Sequence, residues 1–219
     1  MNEDIGSSKN WSDLYAGVIY DAMKFDLKLN NFVIPKDTGI KPAWGFRGNI
    51  FGRAATAVGQ KVSIPSEEVV EDMLTNFPSG GVYILQANDN SRAHCGDITV
   101  KFLQRAGCVG AVIQGWTRDL DLIEEDNFKM WCKGAQPQDS IDRWTIVNHN
   151  CEIVVGNIFI NPSDYIFADR DGVIVLPENK LGDILELARK RKNKEDSIRQ
   201  RVLETSLPPR EIKSELGRW

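Results

Sequence analysis

Arg118 and Asp119 stand side by side just beyond an apolar run, Gly110-Ala111-Val112-Ile113, that closes on Gln114-Gly115. A guanidinium offers a planar fork of donors that matches a carboxylate. An aspartate beside it can hold a hard divalent cation that keeps most of its waters. A third element lies upstream, where Gly96-Asp97-Ile98-Thr99 opens a stretch with helical spacing. The first N–H groups of a helix lack internal acceptors and attract anions, and glycine lets a ligand approach the backbone closely. Together these groups make a site for a small 2-oxo acid. The acid's carboxylate would lie on the amides of Gly96, Asp97, Ile98 and Thr99 and on Arg118. A divalent ion at Asp119 would draw electron density from the keto oxygen. The same residues admit plainer readings: Asp97 can cap its own helix, and Arg118 with Asp119 can form a solvated pair worth about 0–1 kcal/mol.

The elements that must position these groups can be read from periodicity. Val82 to Ala87 is a short buried strand, and a polar loop, Asn88 to Gly96, follows it. From Asp97 to Ala106 the apolar positions Ile98, Phe102, Leu103 and Ala106 share a helical face, and Gly107 stops the helix. The Gly110 strand comes next. Strand, helix and strand make a βαβ unit with parallel strands and a right-handed crossover. Ligands of such units gather outside the carboxyl ends of the strands. Both the Gly96 turn and the Arg118-Asp119 pair are expected at that edge.

Around this unit the spacing predicts an amphipathic helix over 11–28, a loop-rich stretch over 30–50, a strand at Ala54–Val58 and a helix from Glu67 to Asn76. Further on come strands at Ile153–Val155, Ile158–Ile160, Tyr165–Ala168 and Val173–Leu176. Asp169-Arg170-Asp171-Gly172 is a tight hairpin connection, and a charged helix runs from Asn179 to about Leu203. The expected fold class is α/β: a single compact domain over 1–219, with a central βαβ unit, mixed sheets flanked by helices, and a long C-terminal helix.

Composition narrows the function classes. The chain has 219 residues, 42% hydrophobic and 26% charged, with a net charge of −4, so a general nucleic-acid binder with a basic face is disfavoured. The run Arg189 to Asp196 has no interleaved aromatics and reads as a solvated face. No apolar stretch approaches the roughly 20 residues that cross a bilayer. Met1 to Gly6 has neither the basic region nor the apolar core of a leader. Four scattered cysteines without C-x-x-C spacing suit a reducing compartment. A cytoplasmic protein without nucleic-acid or membrane partners is expected.

Rival chemistries gain little. His94, Cys95 and Cys132 match no zinc spacing, and adjacent His94 and Cys95 on extended chain point apart, which disfavours a Cys–His nucleophile. The tryptophans at 44, 116, 131, 144 and 219 read as core or interface anchors. There is no Walker loop, G-x-G-x-x-G or G-x-S-x-G.

The run Arg105 to Asp119, RAGCVGAVIQGWTRD, resembles the RraA-like family, which includes the 4-hydroxy-4-methyl-2-oxoglutarate aldolases and the regulator of ribonuclease activity A. So do Gly96-Asp97, Asp169 to Pro177, Val18 to Met23 and Phe51 to Ala57, and the likeness runs over about 14–205. The resemblance implies a swivelling β/β/α-like fold assembled as a homotrimer or homohexamer, with a bound Mg2+ or Mn2+. It implies a lyase that cleaves a 2-oxo acid, or decarboxylates oxaloacetate, through a pyruvate enolate. Carried over, Gly96, Asp97, Ile98, Thr99 and Arg118 bind substrate, Asp119 holds the metal, and Asp97 positions a water for proton transfer. Glu195 is the match for an acidic residue lent by a neighbouring subunit's C-terminal helix. Gln114 and Asp97 depart from the family's usual aspartate and glutamate, and 127–143 is expected to shape substrate choice through its unusual tryptophans. A regulator that binds a ribonuclease, and a sugar-acid lyase or dehydratase using the same site, are the alternatives.

Overall fold

The computed structural model describes residues 6–63 and 67–217. Met1 to Ile5, on which most of the leader reading falls, and Trp219 lie outside the described residues. A 3-10 turn at Ser8–Asn10 leads to helix α1 (Ala16–Asp21), which continues as a π turn over Ala22–Asp26. Then follow β1 (Lys41–Pro42), β2 (Ile50–Lys61), α2 (Glu68–Thr75), β3 (Val82–Gln86), β4 (Ala93–Cys95) and α3 (Asp97–Arg105). The middle holds β5 (Gly110–Gln114), β6 (Trp116–Thr117), α4 (Leu120–Glu125), β7 (Met130–Cys132) and β8 (Gly134–Ala135). The last third holds β9 (Trp144–His149), β10 (Ile153–Val155), β11 (Ile158–Ile160), β12 (Tyr165–Ala168), β13 (Val173–Leu176), α5 (Leu181–Glu204) and α6 (Pro209–Leu216).

The main sheet runs β1-β7-β5-β3-β2-β12-β13, with β9 also paired to β2. Its centre is parallel: Val82 faces Gly110 and Ala54 faces Val82 in register. Both faces of β3 and β5 are covered, so their side chains are apolar almost without interruption. Strand β2 is much longer than its expected five residues, because it serves three partners. Its first residues pair antiparallel with β12, its middle with β3 and its end with β9, with a register shift at Val58/Gly59 that curls the sheet. One face packs under α2, α3 and α4 through Leu85, Val100, Leu103, Ile113 and Ile123. The other is closed by the β10–β11 hairpin, and α1 packs with α5 over Phe167 and Ile174. Full burial of each such side chain contributes about 1.5–3 kcal/mol.

Three expectations need correction. The N-terminal helix begins at Ala16 rather than near residue 11, because Trp11 and Leu14 are buried in the core as non-helical chain and Trp11 stacks on Phe51 at 4.4 Å. The loop from Asn88 to Gly96 contains β4. Helix α3 buries Val100 and Leu103, whereas Ile98 and Phe102 are exposed at 65% and 44%. Among the described residues no helix is long and apolar enough to cross a membrane.

Candidate active site

Beyond the carboxyl ends of β3, β5 and β7 the chain builds a second, smaller parallel sheet, ordered β4-β6-β8. Each short strand lies downstream of the corresponding central one, so the small sheet repeats the order of its parents. Ala93 pairs with Trp116 and Cys95 with Thr117. Thr117, fully buried, donates its hydroxyl to the Cys95 carbonyl at 2.8 Å, and the Arg118 N–H donates to the same carbonyl at 3.0 Å. These two bonds hold the exit of β4, which becomes the Gly96 turn, against the exit of β6, which becomes Arg118-Asp119. Nothing in the spacing of residues 93–95 or 116–117 announces a strand. The positioning role of Thr117 is therefore invisible in the sequence.

Gly115 permits the layers to stack this closely. A Cβ there would lie 2.4 Å from His94 Nδ1. The His94 imidazole packs against Trp144 and faces Asp89 through Nε2 at 3.1 Å. Burial pushes the His94 pKa down, against the pull of Asp89, so the ring is neutral near pH 7. Burial alone would raise the Asp89 carboxyl, but hydrogen bonds from Ser91, Lys61 and His94 overcome it and hold the group well below the usual carboxylate range. This buried pair locks the loop that delivers Gly96.

At the turn itself, Gly96 is extended and serves as the N-cap of α3, so Asp97 is the first helical residue and not the cap. The first intrahelical bond runs from Val100 N–H to Gly96 O. The amides of Asp97, Ile98 and Thr99 are left over. Among the described residues only the Asp97 N–H has an acceptor, Asp119 Oδ2, at a long 3.4 Å. Asp119 adopts a left-handed backbone, φ 61° and ψ 38°, and makes no cap bond to α4, although it stands at that helix's N-cap. A non-glycine residue in that region is uncommon. Here it turns the carboxylate back across to the Gly96 turn. A Cβ on Gly96 would sit 2.7 Å from Asp119 Oδ2 and 3.2 Å from Arg118 Nε. Arg118 meets Asp119 only through Nε, at 3.3 Å, and both side chains are about one-third exposed. Its terminal nitrogens have no protein partner among the described residues, which leaves one edge of the fork open.

The structure thus brings Gly96, Asp97, Ile98, Thr99, Arg118 and Asp119 together at one sheet edge. It does not bring Glu195 to them within the chain: that carboxylate, on α5, accepts from Tyr15 Oη and from Arg199 at 2.6 Å. Trp131 and Trp144 are core residues. Each donates its Nε1–H to a backbone carbonyl, of Asp169 at 2.8 Å and Ala87 at 2.7 Å respectively, so neither tryptophan is open to a substrate. Burial pushes the Cys95 thiol far above its ordinary range and the Cys132 thiol up to about 11. With His94 turned to Asp89, neither zinc binding nor a thiolate nucleophile has support.

Among the described residues no group of three or more His, Cys, Asp or Glu side chains is placed to hold a metal. A magnesium-type ion needs fewer protein ligands than that, one or two carboxylates, and completes its shell with water and substrate oxygens.

The model of the RraA-like family, described as Aldolase/RraA, matches residues 17–175. The protein DlpA of Legionella pneumophila is 26% identical over 158 residues, 65% of this chain and 26% of that protein. A Halalkalibacterium halodurans protein named "Putative 4-hydroxy-4-methyl-2-oxoglutarate aldolase" is 31% identical over 135 residues, 62% of this chain and 63% of that one. Both matches thus span less than two thirds of those relatives' lengths. The crystal structure of Streptomyces coelicolor RraAS2, titled an unusual member of the RNase ES inhibitor RraA protein family, superposes with a TM-score of 0.76 at 21% identity. It covers 91% of this chain and 97% of its own, which is a likeness of fold. A family match over most of the chain shows that this protein belongs to the RraA-like family.

Proposed function

We propose that the protein is a divalent-metal-dependent lyase that cleaves a carbon–carbon bond in a 2-oxo acid and releases pyruvate. The carrying observation is the meeting of Gly96, Arg118 and Asp119 within contact distance at the N-terminus of α3. The substrate's carboxylate is received by the open edge of Arg118 and the leftover amides of Ile98 and Thr99. Asp119 would hold a Mg2+ or Mn2+ ion, which when bound would supply Lewis-acid polarisation of the keto group.

For 4-hydroxy-4-methyl-2-oxoglutarate the tertiary hydroxyl gives up its proton to a water held by Asp97, and the C3–C4 bond breaks. One product leaves as pyruvate. The bonding pair enters the other half as an enolate, whose charge on the former keto oxygen Arg118 helps to stabilise. Return of a proton to its carbon makes the second pyruvate. Oxaloacetate needs no such proton removal: its C3–C4 bond breaks as carbon dioxide leaves, the pair enters the same enolate, and a proton returned to carbon makes pyruvate. The retained Arg118-Asp119 pair favours this reading over a purely ribonuclease-binding role. The exposed apolar side chains Ile98, Phe102 and Leu122, on the helices that flank the site, support assembly of copies beside it. A homotrimer or homohexamer could then bring Glu195 from a neighbour.

Calorimetric titration of oxalate, an enolate mimic, tests the reading. Binding that needs magnesium and disappears in Arg118→Ala supports it. Binding indifferent to both would refute it.

A further inference from the structure

The opposite edge of the sheet holds a separate cavity of about 400 Å³. Its walls come from the residue before β5, from two residues ahead of β7, from the start of β2 and from the 3-10 turn at Ser8–Asn10. These are the amino-terminal ends of the parallel strands, whereas Arg118 and Asp119 follow the carboxyl ends.

Two lysines line it, Lys9 and Lys129, and no aspartate or glutamate does. Lys129 is half-buried, and its Nζ donates to the Asn49 carbonyl at 2.9 Å. An ammonium has three donors, so two remain. Among the described residues neither lysine forms an ion pair. Desolvation pushes the Lys129 pKa down, a cost that a bound anion would remove.

The wall that carries Lys9 is fixed. The Asn49 amide donates to the carbonyls of Trp11, Ser12 and Leu14 at 3.1, 3.3 and 2.9 Å. Ser12 Oγ holds the Lys9 carbonyl at 3.0 Å, and Trp11 stacks on Phe51. A lysine ammonium is a point charge that binds phosphate without demanding a planar, bidentate partner.

We propose that this cavity binds phosphate, free or as a small monoester, between Lys9 and Lys129, with the Ser8 hydroxyl and the Asn127 amide as neutral donors. It is a second site, independent of the lyase reading.

The test is a 31P NMR titration of the folded protein with inorganic phosphate in one arm and glycerol 3-phosphate in the other. Saturable binding is expected in at least one arm, and the stronger arm names the source. Lys129→Gln should weaken it about tenfold, the loss of one charged hydrogen bond. Lys9→Gln, at an exposed position that folding does not need, should weaken it severalfold. Arg118→Ala should leave it unchanged. No saturable binding in either arm, or a folded Lys129→Gln that binds as the parent does, would overturn the proposal. So would loss of binding in Arg118→Ala, which would place the phosphate at the other edge. Should Lys129→Gln fail to fold, Lys9→Gln decides, and unchanged binding there refutes the site.

Discussion

Asp119 Oδ2 stands 2.7 Å from the point where a side chain on residue 96 would begin. Gly96 is extended, a conformation open to any residue, so volume and not backbone freedom demands glycine there. Gly96→Ala is therefore expected to push Asp119 and Arg118 out of place while leaving the backbone unstrained. Pyruvate-forming kcat/KM should fall by about two orders of magnitude, with thermal stability changed by less than about 1 kcal/mol. Steady-state kinetics beside a melting curve separates the two effects.

Asp89 and His94 are buried together behind the site, and both make the fold acid-sensitive. The Asp89 carboxyl is held below its ordinary 3.8, so the stability it contributes is complete above that value and is lost as pH falls below it. The His94 pKa lies below its ordinary 6.5, so the unfolded chain takes up a proton there first, and stability declines as pH drops through 6.5. Urea unfolding between pH 7 and 2 should show this two-stage decline. Asp89→Ala leaves the partner polar groups unsatisfied and should cost about 3 kcal/mol at pH 7.

Cys108 and Cys132 have thiols raised by burial to about 11, and Cys95 higher still, while Cys151 is only partly buried. Iodoacetamide at pH 8 should label Cys151 first and reach the other three only on unfolding. Raised thiol pKa values also mean that the fold keeps protons which the unfolded chain releases. Stability should therefore be intact below about pH 9 and decline toward pH 11. Mass spectrometry of the labelled peptides reads the first expectation and alkaline unfolding curves the second.

Ile98 and Phe102 project from α3 beside the site. If they join subunits, Phe102→Glu buries an unpaired charge in the contact and should yield a smaller species by light scattering with its secondary structure intact. A variant of unchanged mass would remove this face from the assembly.

The sequence carried some of this directly. The strands over 153–155, 158–160, 165–168 and 173–176 lie where periodicity puts them, because their hairpins close locally and each turn is marked by its own residues. The βαβ unit is legible from its own periodicity and puts Gly96 and Arg118 at one end of the sheet, but the β4–β6 pairing and Thr117, which hold the two exits together, are not. What stayed hidden depends on distant partners. Strands β4, β6 and β8 are two or three residues long and exist only through one another. Periodicity announced α3 but not its buried face, since Ile98 and Phe102 are as apolar as Val100 and Leu103. Lys129 gave no signal, because a lysine's lack of a counterion appears only once the chain has folded around it.

The central claim is that Asp119 holds the ion on which turnover depends. Pyruvate release from 4-hydroxy-4-methyl-2-oxoglutarate and from oxaloacetate, measured against magnesium concentration in the parent and in Asp119→Ala, tests it most directly. The account predicts saturable magnesium dependence in the parent and loss of about 10³-fold or more in the variant, whose fold stays intact by circular dichroism. Magnesium-dependent turnover at parental rate in Asp119→Ala would contradict it.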